Sequence, residues 1–467
     1  MGGVTRSMGT AVLCLGLGAC GPATSGDGST GGTEATDGTG GSTGQTMGSG
    51  TVDATQGPVD GSSSDTHEPP VACTYQPGSC DPICLEDPVL DAWVREFLGL
   101  GPADVITPEL AASLPFVLDD AETDVGSLGG LECFPNLETI VFRVDSFTDL
   151  TPIAGLEALE DLIIEDVPVA QLPPLAASQP TQIWLNRTEV EDVSSLAGSF
   201  LRQLHVEGSP VSDLAVVTSM PLLWELVAND TLVTDLSPIA SAPELSHVEL
   251  DGCGITELSP LFANGTIHTL ALRRNQITDI APLGTTQVAW LWIDDNPLGD
   301  LSPLASLAPL SYLTISDTQV TDLAPLVALP IESIELDRAP LLDPQQLWAL
   351  PGLRTVSAAG IGLTSLDGMS LAIEWLHVPD NGLTDVSPIV DLTLLEELDL
   401  SSNEIMDLGA IENAPIFDVS CGRLWVTDNP LDAYSTKTMI PALCAGSVIV
   451  ESDVLSCDQL DDCGPID

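Results

Sequence analysis

The chain has 467 residues, enough for two or three ordinary domains or for one long repeat array. Apolar residues make up 44% and aromatics only 4%, so a large core is available but must be aliphatic. A formal net charge of −58 excludes a surface that tracks nucleic-acid phosphates, and it repels an anionic membrane. The charge serves solubility first, and divalent cations or basic partners are the other uses open to it.

The first element is a short apolar run, Thr10 to Leu17, preceded by the positive Arg6. It is too short to span a bilayer and reads as a signal segment, residues 1–19. It ends in Leu17-Gly18-Ala19-Cys20, which resembles a bacterial lipobox. That resemblance implies cleavage before Cys20 and a lipid on its sulfur. Gly21 in place of Asp then implies the outer membrane or cell surface of a Gram-negative bacterium. An ordinary signal peptide with an incidental cysteine is the alternative. Residues 20–72 are rich in Gly, Ser and Thr with no Lys or Arg, and they read as a disordered linker. A flexible coil of that length reaches roughly 40 Å. Its Gly40-Gly41-Ser42-Thr43-Gly44 matches the hydrolase elbow only formally, because that motif needs a strand before it and a helix after it.

Beyond the linker the sequence repeats itself. Acidic or similar anchors, most of them followed by leucine, recur at Ser127, Asp149, Gln171, Asp192, Asp213, Asp235, Glu257, Asp279, Asp300, Asp322, Asp343, Ser365, Asp385 and Asp407. Of the thirteen spacings eight are 22 residues, four are 21 and one is 20. Apolar pairs at i and i+2, such as Leu270/Leu272 and Leu398/Leu400, predict short strands with one buried face. Three residues later comes a polar slot, filled by Asn275, Asn296, Asn381 and Asn403, or by Thr188, Ser209, Thr231 and Thr318. A side chain there can satisfy backbone groups of the turn. Val167, Ala339 and Ile361 break the slot, which predicts irregular turns at those places. The anchor is followed by Ser-Pro or Ala-Pro, as at Ser302-Pro303 and Ala324-Pro325, which suits a tight turn or a 3₁₀ segment on the return side.

These residues resemble the internalin-type leucine-rich repeat of bacteria, over about Asp87 to Val450. The resemblance implies an α/β solenoid: a curved parallel sheet on the concave face, with turns and short helices on the convex face. DPVLDAWVREFLG and ITPELAASL resemble that family's helical cap, and DNPLDAYSTKTMIPALCAGSVIV resembles its closing unit. The expected organisation is an N-terminal cap at 73–117, repeats at 118–420 and a C-terminal cap at 421–467. No wall-sorting motif and no immunoglobulin-like module is seen.

The cysteines fall at the two ends. Cys73, Cys80, Cys84 and Cys133 flank the start of the array, and Cys421, Cys444, Cys457 and Cys463 close it. Two disulfides per cap would staple the ends, where repeat arrays fray first. Each set of four allows three pairings, which the sequence leaves open. A metal site is the alternative for Cys80-x₃-Cys84. Cys253 occupies a polar slot and reads as a buried, inert thiol.

Residues that alternate with the buried pair point out of the concave face. Trp184, Trp290, Trp292, Trp375 and Trp425 fall there, joined by Tyr312, His205, His247 and His377. Glu207, Glu225, Glu249, Asp251, Asp294, Glu335, Asp337, Glu397 and Asp399 surround them. Tryptophan and tyrosine dominate interface energetics, so this strip is the candidate site for a protein or glycan, with its aromatics largely exposed. Stacking between neighbouring strands for stability alone is the competing use. There is no H-E-x-x-H, no phosphate loop and no Cys-His pairing, so neither enzyme chemistry nor a cofactor is expected. A zinc or acid/base site could be drawn at His205 and His247, but a solvated polar face is the expectation. The expected molecule is a monomeric binding lipoprotein of the cell surface or the periplasm, and the alternative is a passive spacer or coat lipoprotein.

Overall fold

The computed structural model describes residues 73–455 and 457, apart from 114–116, 121–123, 176, 264, 415–421 and 446–447. Cys20, the linker, Cys421 and Cys463 lie outside the described residues. A capping helix, α1 (Pro88–Leu98), opens the array. Asp87 caps it by accepting from the Val89 and Leu90 amides, Pro88 takes the first turn, and Gly99 closes it with φ of 68°. A short second helix, α2 (Pro108–Ala111), is capped by Thr107.

One parallel sheet then runs through the array in strict sequence order. Its first eight strands are β1 (Val117–Asp120), β2 (Thr139–Arg143), β3 (Asp161–Glu165), β4 (Gln182–Asn186), β5 (Gln203–His205), β6 (Glu225–Val227), β7 (His247–Glu249) and β8 (Thr269–Ala271). The rest are β9 (Trp290–Trp292), β10 (Tyr312–Thr314), β11 (Ser333–Glu335), β12 (Thr355–Ser357), β13 (Trp375–His377), β14 (Glu397–Asp399), β15 (Gly422–Trp425) and β16 (Val448–Glu451). The last two strands extend the sheet into the segment read from sequence as the closing cap. Each strand pairs in register with its neighbours, so Leu270, Leu291 and Leu313 sit side by side. All three are fully buried, in one continuous aliphatic core that runs the length of the array. Each such side chain contributes about 1.5–3 kcal/mol over its exposed state.

Three devices repeat. The slot asparagines lie buried or half-buried under the turn. Asn296 Nδ2 donates to the carbonyls of Leu272, Ile293 and Asp294, while its Oδ1 accepts from the Ile277 amide. Asn275, Asn403 and Asn429 repeat the pattern, each bridging its own turn to the preceding repeat. The anchor aspartates cap the return segment: Asp300 Oδ1 accepts from the Ser302 amide at 2.8 Å, ahead of a 3₁₀ turn at Ser302–Ser306. Directly before each slot the backbone turns left-handed, at Arg274, Asp295, Arg338, Asp380 and Ser402 among others. The three apolar slots keep this turn, because Asp166, Arg338 and Gly360 before them also have positive φ. The irregularity expected at Val167, Ala339 and Ile361 is therefore absent from the backbone, and these side chains simply join the core.

Two disulfides, Cys73–Cys84 and Cys80–Cys133, staple the N-terminal end. Cys444–Cys457 staples the C-terminal end. Cys80 and Cys84 therefore each have a disulfide partner, which removes the metal reading of that pair. Cys253 is buried and free, with its Sγ 3.1 Å from the Ala228 carbonyl, and burial pushes its thiol pKa up.

Candidate ligand-binding face

The parallel register places every predicted aromatic and histidine of the face on an outward strand position, with several of the carboxylates two residues beyond, and gathers them into three groups. On β4 and β5, Trp184 and His205 stack at 4.7 Å with their planes 5° apart. His205 Nε2 lies 3.0 Å from Glu225 Oε1, and Gln203 donates to the other oxygen at 2.6 Å. His247 Nε2 lies 2.9 Å from Glu249 Oε1, and Asn229 donates to Oε2. Burial opposes ionisation of Glu225 and Glu249, but these hydrogen bonds outweigh it and hold both below the ordinary carboxylate range.

The second group centres on β9 and β10. Trp290 pairs with Tyr312 across the strands, and the Trp292 and Tyr312 rings approach to 4.9 Å. The Trp290 ring meets Trp292 edge-on at 6.2 Å. The Arg273 guanidinium lies over the Trp292 ring at 5.6 Å and 3.3 Å from Asp294. Tyr312 donates its hydroxyl to Glu335 at 2.7 Å, and Thr314 donates to Asp294. Burial raises the pKa of Asp294 and Glu335, and lifts Asp251 to about 6 against the opposing charge of Arg273. Trp290 is 40% exposed, whereas Trp292 and Tyr312 are half-buried. The expectation of largely exposed aromatics thus fails for the latter two. Strands about 4.8 Å apart bring their rings against each other and against Arg273, which the sequence pattern of one strand does not show.

The third group lies on β13 to β15. His377 meets the Trp425 ring edge-on at 6.0 Å, and Glu397 sits between Arg423, at 2.6 Å, and His377, at 3.5 Å. Those two neighbours hold the Glu397 carboxyl below its usual range. Trp375 Nε1 donates to Glu396 at 3.4 Å. Every predicted aromatic and histidine on this face is half-buried except Trp290.

No family model matches the chain. A stretch of 63 residues is 43% identical to leucine-rich repeat-containing protein 56 of Rattus norvegicus, covering 13% of this chain and 12% of that protein. An internalin of Listeria monocytogenes is 26% identical over 71% of this chain and 93% of its own, with a TM-score of 0.56. A leucine-rich-repeat protein of Leptospira interrogans is 18% identical over 74% of this chain and 97% of its own, with a TM-score of 0.59. The chain is an internalin-type leucine-rich-repeat protein.

Its internalin-type array carries a feature that sequence reading passed over, a row of ion pairs along the left-handed turns. Arg187 grips both oxygens of Asp166 at 2.7 Å, and Arg338 grips Asp317 in the same way. Arg274 reaches Asp230 two repeats away because Gly252 lies between them, where a Cβ would strike the Asp230 carboxylate. The available signal was an Asp and an Arg 21 residues apart, each just ahead of a slot. Among the described residues no cluster of three or more His, Cys, Asp or Glu side chains converges as a metal site. Among the same residues no helix is long and apolar enough to cross a membrane. Disulfides at both ends of an internalin-type fold mark an extracellular or surface protein.

Proposed function

We propose that this protein is a non-enzymatic surface lipoprotein, lipid-anchored through Cys20, that grips a protein ligand with its concave face. The observation that carries this reading is the exposed Trp290 beside Trp292 and Tyr312, on strands whose buried positions are plain aliphatics. The fold needs no indole there, because the core, the slot and the cap residues lie at other positions. The spacer reading draws support from the Trp184–His205 stack, whose rings pack on each other without a ligand. A glycan is the other ligand class that aromatic platforms suit.

A matched control separates these readings. Trp224 is also 40% exposed, but it lies just ahead of β6 and off the outward strand positions. The full chain, Trp290→Ala and Trp224→Ala are each offered cell-surface extracts and a glycan array. A partner retained by the wild type and by Trp224→Ala but lost from Trp290→Ala supports the concave-face reading. Equal retention by all three overturns it, and a glycan retained in that pattern replaces the protein ligand.

A further inference from the structure

The concave face is strongly one-sided in charge. From β2 to β15 the three alternating outward positions that begin in each strand, the last of them mostly in the turn just after it, hold eleven carboxylates, three arginines and no lysine. Each of the three arginines is already held: Arg143 by Glu165 at 3.0 Å, Arg273 by Asp294 at 3.3 Å, and Arg423 by Glu397 at 2.6 Å. Glu335 and Asp337 form no ion pair among the described residues. Their partners are neutral: the Tyr312 hydroxyl for Glu335, and the Ser357 hydroxyl and Ala359 amide for Asp337.

These two carboxylates sit in a trough. The outward side chains of β11 and β12 and of the turns just after them, apart from Glu335 and Asp337, are Ser333, Thr355, Ser357 and Ala359, all small. Large side chains stand on both flanks, Trp290 and Tyr312 on one and Trp375 and His377 on the other. Three strand-to-strand steps separate Tyr312 from Trp375, or about 14 Å at ~4.8 Å each. That gap admits one extended polypeptide with its side chains. The molecule also shows which cation such a wall accepts, since the Arg273 guanidinium lies over one indole with a carboxylate beside it.

We propose that this trough binds an arginine side chain of an extended basic polypeptide, with Glu335 and Asp337 as counter-charges and Trp290, Tyr312 and Trp375 as walls. This deepens the protein-ligand reading given above and rests on it. Charge complementarity selects the occupant: the trough offers acceptors and aromatic faces but no free cation, so an anionic or acidic ligand is repelled.

A net charge of −58 attracts any polycation, so the test must separate the trough from the bulk field. The probe is a fluorescein-labelled ten-residue peptide of alternating arginine and alanine, titrated against the full chain in 150 mM salt. At that ionic strength exposed charges farther apart than about 8 Å are largely screened. Glu335→Gln with Asp337→Asn keeps the hydrogen-bond acceptors and removes two charges. Glu257→Gln with Glu404→Gln removes two charges from exposed turn positions. We expect at least a tenfold loss of affinity for the first pair and less than twofold for the second, with unchanged circular dichroism in both. Replacing the peptide arginines by citrulline should also cost tenfold or more. Equal losses in the two pairs, or no measurable binding, overturn the proposal. If the peptide ignores the trough while Trp290→Ala still loses the natural partner, the cation assignment fails and the concave-face reading stands.

Discussion

Strand β9 places two tryptophans and a leucine in three consecutive positions with opposite fates, which makes it the best place to separate folding from binding. Leu291 is fully buried, so Leu291→Ala leaves a cavity and should cost about 2–5 kcal/mol. Trp292 is half-buried; its truncation removes the Tyr312 and Trp290 ring contacts, at ~0.5–1.5 kcal/mol each, and the Arg273 contact. A cost of about 2 kcal/mol follows. Trp290 is 40% exposed and its two ring contacts, at 6.2 and 6.4 Å, are long ones worth the low end of that range, so Trp290→Ala should cost about 1 kcal/mol. For affinity the order reverses. An anchoring aromatic carries about 2 kcal/mol or more, roughly a thirtyfold change in Kd, and Trp290 should lose that factor while remaining folded. Urea denaturation followed by far-ultraviolet circular dichroism gives the first order, and titration with the captured partner gives the second. Stability losses of equal size for Trp290→Ala and Leu291→Ala would refute the assignment of Trp290 to the face. So would a Trp290→Ala protein that binds as the wild type does.

Asn296→Ala removes four hydrogen bonds and leaves the Ile293 carbonyl and the Ile277 amide under the turn without their partner, while the Leu272 carbonyl keeps Asn275 and the Asp294 carbonyl keeps the Arg274 amide, so it should cost about 3 kcal/mol; a urea midpoint change worth under 1 kcal/mol would contradict the slot's role. Asp251 has its pKa raised from 3.8 to about 6 by burial, so its charge opposes folding at neutral pH by about 3 kcal/mol. The stabilising effect of its proton is complete below pH 4 and is lost as pH rises through 6. Asp251→Asn should therefore raise the melting temperature at pH 7.5 and lose that advantage by pH 4, and a gain that persists at pH 4 would show another cause. Cys20→Ser should release the protein from membranes, and a variant that stays in the membrane pellet removes the lipid assignment. With Cys444 and Cys457 joined, Cys421 and Cys463 remain from their set, and non-reduced peptide mapping should show them cross-linked; free thiols there would count against the second C-terminal staple.

The fold was readable from sequence because its determinants recur every 20–22 residues. A leucine pair, a slot asparagine and an anchor aspartate each act within one turn or against the adjacent copy, so spacing alone locates them. The place of each face residue followed from strand alternation. Its environment did not, because that depends on side chains one and two repeats away. Trp292 and Tyr312 were expected to be open, yet Arg273 on the preceding strand and Glu335 on the following one cover them. Cystine pairing was open for a similar reason: Cys80 bonds to Cys133 across 53 residues, a distance no local rule spans. The left-handed turns at Arg187, Arg274 and Arg338 were also hidden. Arginine gives no signal for positive φ, and it is the ion pair with an earlier repeat that uses the geometry.

The face is not uniform in what it can offer a ligand. Between β5 and β7 the carboxylates and histidines already satisfy one another, so a ligand there must first break bonds such as His205–Glu225 and His247–Glu249. Those bonds hold Glu225 and Glu249 in their charged forms, and a new partner gains only the difference. From β9 to β12 the balance is reversed. Burial has already raised the pKa of Asp294 and Glu335 without a full compensating charge, so the desolvation of these carboxylates is in place before any ligand arrives. A cation docking there meets carboxylates that have given up much of their water, and its attraction is less screened than on an open surface. Two histidine–glutamate pairs and an aromatic stack rigidify one end of the face, while the adjoining segment keeps unneutralised charge beside exposed indole. Binding energy should therefore concentrate at β9 to β12, although the aromatic and acidic residues that sequence inspection singles out run nearly the full length of the array.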